Sequence, residues 1–118
     1  MRTPELTIKQ LVKDSYRVAE SKGWHNIHAT FPERLCMIHS EVSEALEDFR
    51  NGRVFNEIYY ENPKATHPKP CGIPVELADI VIRVADSCGV YSIDLQEAIR
   101  IKQAYNETRG QLHGGKRL

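Results

Sequence analysis

Apolar side chains return every three or four positions between Glu33 and Arg50, where Leu35, Ile38, Val42, Ala45, Leu46 and Phe49 share one face of a 3.6-residue period. That spacing predicts a helix whose apolar stripe faces the core. Thr30 and Pro32 start it, and Asn51-Gly52 closes it. A second stretch, VELADIVIRVAD at residues 75–86, is apolar around most of its circumference and predicts a buried helix, with Pro74 in its first turn and Cys88-Gly89 at its end. A strand is excluded there. At about 100° per residue, Glu76, Asp79, Arg83 and Asp86 share a sector about 80° wide, whereas alternation scatters them over both faces.

Start and stop signals fill in the remainder. Thr3-Pro4-Glu5, or else Thr7 with Gln10, opens a first helix that runs to about Lys22 and stops at Gly23. Asp94 with Glu97 opens a last helix near Ser92 or Asp94, which continues to about Thr108. GWHNIHATF reads as a loop. Residues 53–73 read as a long loop as well, because Pro63, Pro68 and Pro70 crowd it, with VFNEIYY its one candidate for order. The expected fold class is therefore all-α: a single domain over residues 1–118 with four helices and a long loop between the second and third.

Acids inside an apolar helix need partners, because a bare ionised carboxylate loses much of its solvation in a low-dielectric interior. The preceding helix offers a matching stripe, since Glu41, Glu44 and Asp48 lie within about 60° of one another beside its apolar face. Glu41-x-x-Glu44 and Glu76-x-x-Asp79 are both i, i+3 pairs. If the two helices pack side by side, four carboxylates converge, and their mutual repulsion calls for divalent cations. An all-oxygen donor set points to Mg2+ or Mn2+ rather than zinc. A solvated helix face is the plainer account of a single E-x-x-E, but it does not suit ELAD within an apolar helix.

The last helix gathers the opposite charge. Lys102, Asn106 and Arg109 fall within about 60°, continuing the line of Leu95, Ala98 and Ile99, with Tyr105 at the border. Cations there complement the helix dipole. The same fork also suits a phosphate chain held between metal ions and fixed donors, and His113, Lys116 and Arg117 lie near enough in sequence to add to it.

Taken in order, EVSE (41–44), ELAD (76–79) and KQAYNETR (102–109), followed by HGGK (113–116), the chain resembles the MazG-type nucleotide pyrophosphohydrolases of the all-α nucleoside triphosphate pyrophosphatase superfamily, over roughly Trp24 to Lys116. The resemblance implies a MazG-like four-helix bundle that forms a homodimer or homotetramer. Glu41, Glu44, Glu76 and Asp79 would be its Mg2+ ligands, Lys102, Asn106 and Arg109 would contact phosphates, and Trp24 would pack on the base. The implied reaction is cleavage of a nucleoside triphosphate between the α- and β-phosphates, with Glu41 or Glu44 taking a proton from water and Lys102 and Arg109 stabilising the departing pyrophosphate. Arg83 either neutralises Asp79 or Asp86 or reaches substrate. Trp24 has an equally simple structural role as a plug over the core.

Residues 45–75, 31 in all, separate the acidic pairs, a longer spacer than is usual in that family, so base and sugar preference are not carried over. Within the superfamily the alternatives are dUTPase-like and phosphoribosyl-ATP pyrophosphohydrolase activity. A different class is a catalytically silent helical regulator that binds nucleotides or a protein partner.

Charge and cysteine content narrow the partners. Lys plus Arg and Asp plus Glu are 16 each, so no bulk basic field draws the chain to a nucleic-acid polymer or a membrane surface. Three scattered cysteines, with no apolar stretch behind a basic start, fit a reduced cytoplasm. No window approaches the roughly 18 apolar residues of a membrane span. His25-x-x-His28 with Cys36-x-x-His39 matches no zinc spacing, and HGGK lacks the upstream glycine and following Ser/Thr of a P-loop.

Overall fold

A computed structural model of the chain describes residues 5–26 and 29–110. Four helices carry the fold: α1 (Ile8–Ser21), α2 (Phe31–Arg50), α3 (Ile73–Val90) and α4 (Leu95–Thr108). Local capping explains where three of them begin. The Thr7 hydroxyl accepts the Gln10 N–H at 3.0 Å, which selects the later of the two candidate starts for α1. Thr3 and Pro4 lie outside the described residues. Thr30 and Glu33 form a reciprocal capping box, each side chain accepting the other's backbone N–H at 3.3 Å. Asp94 accepts from the Glu97 N–H at 3.1 Å.

Two segments expected to be loops carry more order. Trp24–Asn26 forms a 3-10 turn after α1. Residues 53–73 contain an antiparallel ribbon of β1 (Tyr59–Glu61) and β2 (Lys69–Cys71), with Tyr59 opposite Cys71, Tyr60 opposite Pro70 and Glu61 opposite Lys69. In a two-stranded ribbon both strands are edges, the one place in a sheet that tolerates a proline such as Pro70. Gly72 joins this ribbon to α3 with φ of +121°, and a Cβ there would overlap the Glu57 carbonyl oxygen. The ribbon is thereby pinned to the first turn of α3.

Helix α3 is the hub, with α1 and α2 packed on it, β2 touching its start and α4 resting on α1. The α1–α3 contact is built from small side chains: Ser15 and Ala19 face Ala85, Ser87 and Cys88, all buried. Gly89 lies so close to α1 that a Cβ would sit 2.9 Å from that of Tyr16. Among the described residues no large side chain is fully buried. The apolar stripe of α2 only partly meets the core, for Ile38 and Ala45 are half-buried while Leu35, Val42, Leu46 and Phe49 are exposed. On α3, Leu77, Val81 and Ile82 are also exposed, so the expectation of a buried third helix holds for one side of it. Cys71 and Cys88 are buried, as expected of small core residues, whereas Cys36 is exposed. No helix among the described residues is long and apolar enough to cross a membrane.

Gly72→Ala is expected to destabilise the chain by at least about 1 kcal/mol, from the strained φ together with the carbonyl clash. Gly52, with φ of +87° and nothing within 4 Å of a built Cβ, isolates the first of these effects. Urea unfolding should therefore rank Gly72→Ala below Gly52→Ala; equal midpoints would disprove the pinning contact.

Candidate metal centre

Packing of α2 on α3 turns the two acidic stripes toward each other. Carboxylate oxygens of Glu41, Glu44 and Glu76 all lie within 4.8 Å of one another. Asp79 is not one of these three, but it stands close enough to Glu41 and Glu44 for their charges to act on it. Burial first, then Glu41, raises its pKa. Glu76 is affected most: burial, then the charge and hydrogen bond of Glu44, then Asp79 and Asp48, push it up to about 7. Beside three other acids, such a carboxyl is half-protonated near neutral pH and short of countercharge.

Two buried oxygens express the same shortage. Glu76 Oε2 and Asp48 Oδ2 have no hydrogen-bond partner among the described residues. Buried polar atoms are ordinarily satisfied, so such orphans call for an ion, a water or a proton. Clustered carboxylates with an orphaned oxygen fit a hard divalent cation of the Mg2+ or Mn2+ kind, for which all-oxygen coordination is the rule.

Arg83 pairs across the helix boundary. Its Nε donates to Glu41 Oε1 at 2.6 Å, so neither Asp79 nor Asp86, the two partners considered within its own helix, is its ion-pair mate. Asp86 is instead engaged by His25 Nε2 at 2.8 Å and by Arg34 Nη1 at 3.6 Å. In the sequence His25 entered only through a discounted zinc spacing, and Arg34 did not stand out. Arg34 had a signal, since seven residues before Glu41 places it about 20° from that residue on the same helix face.

A cavity of about 740 Å3 opens beside the acids, between α1, α2 and α3. Glu41, Asp79 and Arg83 line one part of it, Arg34 and Asp86 another, and Trp24, Met37 and Ile82 supply apolar wall. Trp24 is 58% exposed, so it is a rim residue rather than a plug over the core. The basic fork is elsewhere. Lys102, Tyr105, Asn106 and Arg109 are all exposed, α4 packs chiefly on α1, and none of the four lines the cavity. Tyr105 gathers the two cations over its ring, with Lys102 Nζ at 5.0 Å and Arg109 Cζ at 5.9 Å from the centroid. His113, Lys116 and Arg117 lie outside the described residues, as does His28.

The raised value of Glu76 sets a direction for stability against pH. Its folded value of about 7 exceeds the ordinary 4.5, so the folded chain holds this proton more tightly than the unfolded one. The stabilisation is complete below about pH 4.5 and is lost as pH climbs toward about 7. In the presence of a chelator, the melting temperature should fall over that interval, and Glu76→Gln should flatten the decline. Added Mg2+ should stabilise the wild type more at about pH 8 than at about pH 5.5, because ligation requires the deprotonated form. Identical pH profiles for wild type and mutant would remove Glu76 from the cluster.

No family model matches the chain, and comparison with curated proteins and with solved structures finds no match either.

Proposed function

We propose that the chain is a metal-dependent nucleoside triphosphate pyrophosphohydrolase, cleaving between the α- and β-phosphates to give a nucleoside monophosphate and pyrophosphate. The observation that carries this reading is the convergence of Glu41, Glu44 and Glu76 from two helices, with an orphaned oxygen on Glu76, where Glu41 also lines a cavity walled in part by a tryptophan. The ordered motifs that resemble MazG-type enzymes supply the reaction class.

When bound, Mg2+ or Mn2+ supplies Lewis-acid polarisation of phosphoryl oxygens and acidifies water. Glu41, Glu44, Glu76 and Asp79 would hold it. Glu41 is committed to Arg83, which favours the exposed Glu44 as the acceptor of the water proton. The water oxygen bonds to the α-phosphorus, and the bridging oxygen leaves on the β-phosphorus as pyrophosphate. Trp24 offers a planar face to a base, a contact worth roughly 1–3 kcal/mol by alanine substitution. Arg83 lines the same cavity, which supports a role for it in meeting a phosphate oxygen.

Lys102, Asn106 and Arg109 complete the site from a second copy of the chain. Their exposure, and the exposed Leu35, Val42, Leu46 and Phe49 on α2, support assembly into a homodimer or homotetramer.

Glu41→Gln and Asp79→Asn should each abolish Mg2+-dependent pyrophosphate release while circular dichroism stays helical. Glu41→Gln should also cost about 1 kcal/mol of stability, because Arg83 loses its anion. Turnover persisting in both variants would sink the proposed activity. Mixing a Lys102→Ala chain with a Glu76→Gln chain, each inactive alone, should restore roughly a quarter of wild-type activity by statistical assortment of a dimer. No recovery after co-refolding would return the basic fork to its own chain.

A further inference from the structure

His25 is gripped from two sides. Its Nδ1 lies 2.7 Å from Glu20 Oε2, and its Nε2 lies 2.8 Å from Asp86 Oδ1. Ionised carboxylates only accept, so both contacts are hydrogen bonds only when both ring nitrogens carry protons. A neutral imidazole donates from one nitrogen and turns a lone pair toward the other acid. The two distances together describe an imidazolium.

Among the described residues, titratable and charged groups reach it from three helices. From α1 come Glu20 and the Tyr16 ring, whose centroid is 4.5 Å away. Asp86 comes from α3, and Arg34 of α2 approaches the far oxygen of Asp86 while its own buried Nε has no partner among the described residues. The His25 side chain is 13% exposed. Burial on its own lowers the pKa of this group, but the hydrogen bonds and charges of Asp86 and Glu20 outweigh burial and raise it above 6.5.

Trp24 precedes His25 in the same three-residue 3-10 turn. One such turn is too short to hold its own shape, so its position depends on what its side chains grip. Trp24 itself is largely exposed at the cavity rim. The His25 side chain reaches both α1 and α3.

We propose that His25 is a positioning residue, a proton-dependent clasp that fixes the Trp24 turn to α1 and α3 and so holds in place the apolar wall of the cavity. The consequence for substrate rests on the reading of that cavity as a base pocket, whereas the clasp itself does not. With the folded value above 6.5, the clasp is complete below about pH 6.5 and is lost as pH rises through the raised value. Affinity for the base falls over the same interval, so KM rises while kcat is left nearly unchanged.

The test follows Trp24 and His25 in one sample. Emission and acrylamide quenching of the single tryptophan are recorded in the full chain from about pH 5.5 to 9, alongside the His25 ring proton resonance, assigned by its loss in His25→Gln. Because Glu76 titrates near 7, both are repeated in a Glu76→Gln chain. The expected result is a shift in tryptophan emission and quenching with the same midpoint as His25. Glu20→Gln, a change at an exposed partner, lowers both midpoints together. Affinity for an uncharged nucleoside follows them, and in His25→Gln the pH-dependent change in tryptophan emission and quenching is lost. Quenching that stays flat while His25 titrates, or a transition that Glu20→Gln leaves in place, overturns the clasp. Should His25→Gln fail to fold, wild type and Glu20→Gln decide the matter alone. A chain that cleaves no triphosphate yet shows the coupled transition refutes the proposed activity and leaves the clasp standing.

Discussion

Like charges forced together at the α2–α3 contact are the constraint on which the rest of this structure turns. Glu41 is the one buried acid among the described residues, and it is matched by Arg83 at 2.6 Å. Glu76, one helix face away, has no such mate, and its proton is held up to about 7. Two carboxyls in one cluster thus meet their desolvation differently, one through an arginine and one through a proton. A cation that replaces the proton gains what the arginine already provides to Glu41. Removing charge at the two positions consequently has opposite meanings for the fold.

The polar stripe of α3 distributes this problem along its length. Glu76 and Asp79 point to the acids of α2, Arg83 crosses to Glu41, and Asp86 is taken by His25 and Arg34. The stripe therefore meets two networks, the α2 acids from Glu76 through Arg83 and the His25–Arg34 pair at Asp86, while the small residues Ala85, Ser87 and Cys88 let α1 approach. Polar groups occupy part of the space between helices, at Ser15, Glu41 and Ser87. Much of the larger apolar surface, on α2 and at Leu77, Val81 and Ile82, faces outward instead. On the functional reading proposed above, a second copy of the chain would cover this surface.

Elements that depend on local chemistry were legible in the sequence. Caps at Thr7, Thr30 and Asp94 mark helix starts because a side-chain oxygen satisfying a free N–H is a matter of three residues. The acidic stripes were legible for the same reason, since periodicity fixes which residues share a face. Pairings between elements were not. Arg83 had two acids within reach in its own helix, and only the α2–α3 packing sent it to Glu41. The β1–β2 ribbon was hidden by its prolines, which argue against a strand except where both strands are edges. The stripe of Leu35, Val42, Leu46 and Phe49 obeyed the period of a core face, yet periodicity states only that a face is apolar and not that the same chain covers it.

On the functional reading advanced above, distance along α3 would connect the two networks to one ligand. Asp79 and Asp86 are seven residues apart, and at about 1.5 Å per residue the helix sets them about 10 Å from each other. Both line the cavity, with Met37, Ile82 and Trp24 supplying apolar surface. A molecule that is planar and apolar at one end and anionic at the other meets complementary chemistry at each, provided the acids have first been neutralised by cations. A fully anionic ligand would find the apolar wall useless, and a fully apolar one would strand the charges of Arg83 and Asp79. On the functional reading advanced above, the spacing of one helical stripe thus ties base recognition at the Trp24 end to phosphate chemistry at the Glu76 end, and the rigidity of α3 keeps the two in register.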